Sequence, residues 1–226
     1  MTQSNKYAAR KPFTPKPVVY TAWGLLLAAL VMHFVPALET VALILYAVGL
    51  IALCVLALTA PKKGTLAVPR VFLPMLAAAF LILDCAFGMR PDESSLVWRS
   101  ILLALILLIP LMISEKQAAA DIDRGRFAAR VFVVVGTVWI SCAFWLIATN
   151  SVFDADVGMS HISTVTQMRT EGDSCHMDVV WDGRALDFQV SRADFSAISA
   201  GDKVLVTAYD GFWGAPYYTW ESPQSP

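Results

Sequence analysis

The sequence predicts an α-helical polytopic membrane protein with five transmembrane helices, followed by a small, mainly β C-terminal domain. Three observations lead there. Of 226 residues, 57% are hydrophobic and only 15% charged, where soluble domains run nearer half apolar and a quarter charged. The apolar residues gather in runs close to the roughly 20 residues a helix needs to cross a bilayer. Beyond residue 160 the hydrophobic period changes to two, the period of half-buried strands.

Residues 1–17 form a basic leader carrying Lys6, Arg10, Lys11 and Lys16. The expected spans are 18–34, closed by Pro36; 38–60, closed by Pro61; 71–87; 96–113; and 127–148. Together they make a helical domain over 18–148. Helices are the form to expect, because an isolated strand would leave its backbone polar groups unpaired in lipid. "VPA" at 35–37 loosely fits a signal cleavage site. The preceding apolar run is longer than a typical signal core, so the first span reads as a retained anchor.

Orientation follows from Lys and Arg in the short connections. The leader, the 2–3 connection (Lys62, Lys63, Arg70) and the 4–5 connection (Lys116, Arg124, Arg126, Arg130) hold eleven such residues, against Arg90 and Arg99 around the 3–4 connection. The reading is a multi-pass protein of a bacterial inner membrane, N-terminus cytoplasmic and C-terminal domain periplasmic. The tail holds 4 basic and 11 acidic residues, which suits an exported face without setting the orientation.

After a linker at 149–160, the segment 161–226 reads as an OB-like or SH3-like barrel of four to five strands plus a short helix. "RALDFQV" alternates, with Leu186, Phe188 and Val190 on one face and Asp187 and Gln189 on the other. "HISTVTQM", "CHMDVVW" and "DKVLVTAY" supply further strands. The turns are "EGDS" at 171–174 and "DG" at 182–183 and 210–211; Asp-Gly supplies the positive φ angles of a tight hairpin. Ser191 with Asp194 resembles a capping box that starts the short helix.

Two groups of residues are candidate sites. Ionisable residues inside spans are costly and default to functional hypotheses. His33, Asp84 and Arg99 fall near one end of three spans and form a predicted intramembrane polar cluster. Asp84 and Arg99 stand at matching depths of a helical hairpin, where a bidentate pair staples two helices or serves a proton or ion path. The second group is "YDGFWGAPYYTW", with Tyr209, Phe212, Trp213, Tyr217, Tyr218 and Trp220 as partner-binding candidates. Such rings combine large contact area with a polar handle. They can also close the domain's core or rest on the membrane interface.

Catalytic and cofactor motifs are missing. His161, Cys175 and His176 lack the spacing of a zinc site, and Cys175 has no positioned base. No phosphate-cradling glycine loop or nucleophile elbow occurs, and nothing beyond the leader's few charges supports nucleic-acid binding. The expectation is a non-enzymatic membrane interaction protein without cofactor or metal. Its partners would be the lipid bilayer and another envelope or membrane protein. It would act as an accessory subunit, an assembly factor, or an immunity- or exclusion-type factor. The alternative is a transport or channel component using Asp84, Arg99 and His33.

Overall fold

The computed structural model describes residues 16–59, 68–85, 90–91, 93–118 and 124–222. The chain divides into two compact units: residues 1–85 with 97–146, and residues 86–96 with 147–226. The first is helical; the second holds the sheet.

The helical unit is built from α1 (Lys16–Phe34), α2 (Glu39–Thr59), α3 (Val68–Cys85), most of α4 (Glu93–Ala118) and most of α5 (Arg124–Val152), with a short 3-10 turn at Pro36–Leu38 between α1 and α2. Val18, Ala22, Leu25, Ala29 and Met32 form the buried stripe of α1 at alternating spacings of four and three, the period of a helix face turned to its neighbours. These neighbours are α2 and α3. At Gly49 a β-carbon would strike the Leu25 side chain, so the glycine lets α1 and α2 approach closely. Outside such stripes, many large apolar residues of α1, α2 and α4 are exposed: Leu27, Val48 and Leu102 are examples.

Among the described residues, four helices are long and apolar enough to cross a membrane: Lys16–Phe34, Glu39–Leu56, Ser95–Ile113 and Phe127–Val152. The expected third span, 71–87, is the correction. The described apolar stretch of α3 is only Arg70–Leu83, about 20 Å at 1.5 Å per residue against a hydrocarbon core of about 30 Å. Pro74 lies inside it. The result is a multi-span helical region with four long helices, not five.

The second unit contains a six-stranded antiparallel sheet in the order β1-β6-β5-β2-β3-β4. The strands are β1 (Arg90–Pro91), β2 (Met159–Glu171), β3 (Ser174–Trp181), β4 (Arg184–Val190), β5 (Lys203–Tyr209) and β6 (Tyr217–Glu221), with helix α6 (Arg192–Ala197) between β4 and β5. β2 serves both halves. Residues 159–164 pair with β5, and after an irregularity between Val165 and Gln167 the rest pairs with β3. Such bulges bend and twist a strand, and here the sheet curls at the bulge. β3 and β4 turn at Asp182 and Gly183, both at positive φ (45° and 74°), the backbone a two-residue primed turn requires. Ser191 caps α6 by accepting from the Asp194 N–H at 3.1 Å.

The sheet is an open half-barrel, which corrects the expected closed barrel. Closure requires the first and last strands in the spatial order to meet with consistent stagger. Here the edges are a two-residue strand, β1, and β4. β1 comes from the connection between α3 and α4, far in sequence from the tail that supplies the other five strands. The curl is filled by Val165, Cys175, Met177, Val179, Phe188, Val190, Ile198, Val204 and Val206, with Phe195, Trp181, Tyr218 and Trp220 packed against them.

Phe188 is among the largest fully buried side chains. Phe188→Ala should cost about 3–5 kcal/mol and Gln189→Ala, on the exposed face of the same strand, less than about 0.5 kcal/mol. The buried Cys175 thiol provides the readout: its alkylation in the full-length protein, followed by peptide mass spectrometry, should begin at lower urea in the first variant only.

Candidate functional site

β6 gives its aromatic residues two different tasks, because successive side chains on a strand point to opposite faces. Tyr218 and Trp220 lie with Val206 on the side that fills the curl. Tyr217 lies on the other face, 6% exposed, and its ring stacks on Tyr209 at 4.8 Å and 8°. Tyr209 and Tyr217 are also a register pair. Of the six aromatic candidates, Phe212 is the most open, at 51% exposure.

The loop from β5 to β6, residues 210–216, is tied to the last turn of α5. Asn150 is the hub, almost fully buried. Its Nδ2 donates to the Ala215 carbonyl at 2.8 Å, and its Oδ1 accepts the Trp213 backbone N–H at 3.0 Å. Its own carbonyl accepts the Phe212 N–H at 2.9 Å. One residue earlier, Thr149 Oγ1 accepts the Trp213 indole N–H at 2.9 Å. Asp154 accepts the Gly211 N–H at 3.0 Å. Gly211 sits at φ +77°, where a β-carbon would collide with the Ala215 carbonyl and the Asn150 amide. The Asp-Gly pair at 210–211 therefore opens a loop wrapped on a helix end, and the tight hairpin expected there is replaced by it.

Tyr217 is hydrogen-bonded to the Asp154 carboxylate. Burial first, then the charge of Asp154 and the neighbouring Tyr209, push its phenol up to about 12. Near neutral pH it is a neutral donor.

On the inner side of the curl, Trp181 meets His161 edge-on at 5.7 Å and Tyr218 at 6.2 Å. These rings come from β2, β3 and β6. Ser163, on β2 two residues from His161, is buried, and its Oγ has no hydrogen-bond partner.

The opposite face of β2–β3–β4 carries a polar network. Arg169 bridges Asp178 at 2.6 Å, Asp187 at 2.9 Å and Glu171 at 3.0 Å, and His176 Nδ1 meets Asp187 at 2.9 Å. Burial works against the Arg169 charge, but Asp178, Asp187 and Glu171 outweigh it and raise its pKa. Cys175 belongs to the core and His176 to this network, so the two neighbours face opposite sides of β3. Among the described residues, no group of three His, Cys, Asp or Glu side chains is placed to hold a metal ion.

The intramembrane candidates belong to the helical unit. His33 is exposed in the last turn of α1, its ring edge-on to Phe34 at 4.9 Å. Arg99 is exposed on α4, and both residues engage further neighbours. Asp84 stands in the last turn of α3, and its side chain lies outside the described residues.

No protein-family model matches the chain, and no curated protein or solved structure matches it.

Sequence reasoning missed Asn150, Asp154 and Arg169. The available signal for Asn150 was a lone amide at the end of a long apolar helix, where lipid offers it no partner. Asn150→Ala removes one acceptor and one donor and strands the Trp213 N–H and the Ala215 carbonyl. The cost should be about 1–3 kcal/mol for each group left unpaired, read as earlier proteolysis of the 210–216 loop. Tyr217 gives a pH prediction. Its ordinary value is 10.0 and its folded value about 12, so the unfolded chain loses this proton first. The contribution of the group is complete below about pH 10 and is lost as pH rises towards about 12. Ultraviolet titration should show one late-ionising tyrosine, and Asp154→Asn should bring it part of the way back.

Proposed function

We propose that the chain is a non-enzymatic integral membrane interaction protein whose β domain is exported and recognises another envelope component. The observation that carries this reading is the open curl. An unclosed half-barrel leaves Trp181, Tyr218 and the exposed His161 along its inner side, where aromatic rings from three strands meet. Aromatic rings at a partly desolvated site are the usual source of binding energy at protein interfaces. Tyr218 and Trp220 are then the recognition residues of the tail cluster. Tyr209, Trp213 and Tyr217 hold the loop that places them, and Phe212 is left for another surface. An accessory subunit, an assembly factor and an immunity- or exclusion-type factor all fit such a protein.

The orientation is part of the proposal. Residues 86–96 and 147–226 share a unit with the sheet. The first turn of α4 and the last turn of α5 therefore lie on the side of the β domain. The connection at the other ends of the same two helices carries Lys116, Arg124 and Arg126. By the positive-inside rule that connection is cytoplasmic, which puts the β domain outside. In a bacterium this is the periplasmic face of the inner membrane.

A photo-reactive amino acid at His161 or Tyr218 tests the reading in intact cells. Each should cross-link to one dominant protein, while the same group at Gln167, on the opposite face of β2, should not. Equal cross-linking from all three positions, or none from any, would refute recognition through the curl. Tyr218→Ala should weaken capture at least tenfold, in line with the loss of a buried interface ring.

A further inference from the structure

Around the end of α5, the exposed Val157 and Phe212 and the half-buried Phe153 have no role in the curl. We propose that Phe153, Val157 and Phe212 form a wedge that seats the β domain in the headgroup–acyl boundary of the bilayer beside α5. This rests on α5 being a span and is independent of any protein partner.

Three observations carry it. The first is depth. The apolar window of α5 covers 26 residues, Phe127–Val152, about 39 Å at 1.5 Å per residue, more than the roughly 30 Å hydrocarbon core. Arg130 is the last basic residue at its cationic end. About 20 residues carry a helix across, and the twentieth residue after Arg130 is Asn150. The hub residue therefore stands at the far boundary of the hydrocarbon. The second is attachment. The loop holding Phe212 is hydrogen-bonded to that same turn, through Asn150 to Phe212 at 2.9 Å and Thr149 to Trp213 at 2.9 Å. Phe212 cannot leave this depth without breaking those bonds. The third is exposure. Phe212 is 51% exposed and Val157 90% exposed. Phe153 follows the apolar window directly and meets Phe212 edge-on at 5.6 Å. Aromatic residues at this level are the belt that membrane proteins present to the interface.

The charges nearby select the kind of surface. Asp156 and Asp210 are exposed and Asp154 is occupied by Gly211 and Tyr217. With carboxylates around it, the wedge enters through apolar area and gains nothing from anionic headgroups.

The test uses the full chain in phosphatidylcholine vesicles doped with a lipid carrying a diazirine near its glycerol end. Photolysis and peptide mapping should find adducts on the peptides containing 153–157 and 212–213, several-fold above those on β3 and β4. Replacing a third of the lipid with phosphatidylglycerol should not raise the yield. Labelling of these peptides no stronger than that of β3 and β4 would overturn the proposal. So would a yield that climbs with anionic lipid. A nitroxide on Phe212→Cys gives the second measurement, read against the unsubstituted chain, whose described cysteines are buried. Molecular oxygen should relax it more than an aqueous nickel chelate does. The reverse order means that the position faces water. Shielding from both means that protein covers it. Either result overturns the wedge.

Discussion

The amide of Asn150 is the constraint on which the sheet unit turns. A helix ends with carbonyls that have no partner inside it, and here Thr149 and Asn150 of the last turn are buried. The loop between β5 and β6 supplies the partners: Phe212 takes the Asn150 carbonyl, and the Asn150 side chain takes Trp213 and Ala215. The helix end and the loop satisfy each other. Neither is complete alone, and an unpaired buried polar group is costly. The glycine at 211 belongs to the same constraint, because the space its β-carbon would need is already filled by the Asn150 amide and the Ala215 carbonyl.

That fixed loop determines what β6 can do. Its register against β5 pairs Tyr209 with Tyr217 and Val206 with Trp220, so the two faces separate into a supporting stack and an inner aromatic row. Tyr217 rests against Asp154, one of the carboxylates near the end of α5. Tyr218 reaches Trp181 across the curl. The proposed recognition side is thus a product of one loop's attachment, and its chemistry comes from strands that lie apart in the sequence.

Local periodicity made much of this legible. The alternation in β4 puts Phe188 and Val190 in the core and Gln189 outside, as period-two reading requires. The Asp182-Gly183 turn and the Ser191 cap were readable because each is decided within four residues. Closure of the barrel was not readable, since it depends on which strands meet at the edges, and β1 comes from a connection between helices. The third span failed for a different reason: counting apolar letters over 71–87 says nothing about how much of that stretch forms an apolar helix. Among the candidate residues, the six aromatics were visible as a dense run, but their division between faces needed the β5–β6 register. Asn150 looked like the start of a linker because a single amide carries no period.

The two-residue strand β1 has a consequence in time. Arg90 and Pro91 pair with Tyr218 and Tyr217, a separation of well over a hundred residues. The first strand to leave the ribosome is therefore the partner of the last. Until β6 arrives, the connection between α3 and α4 has no edge to join, and the sheet can grow only from its β2–β3–β4 side. Long-range pairing of this kind is slow to close. The membrane helices are all made before the sheet can finish, so the bilayer holds the early half of the chain in place while the late half completes its folding.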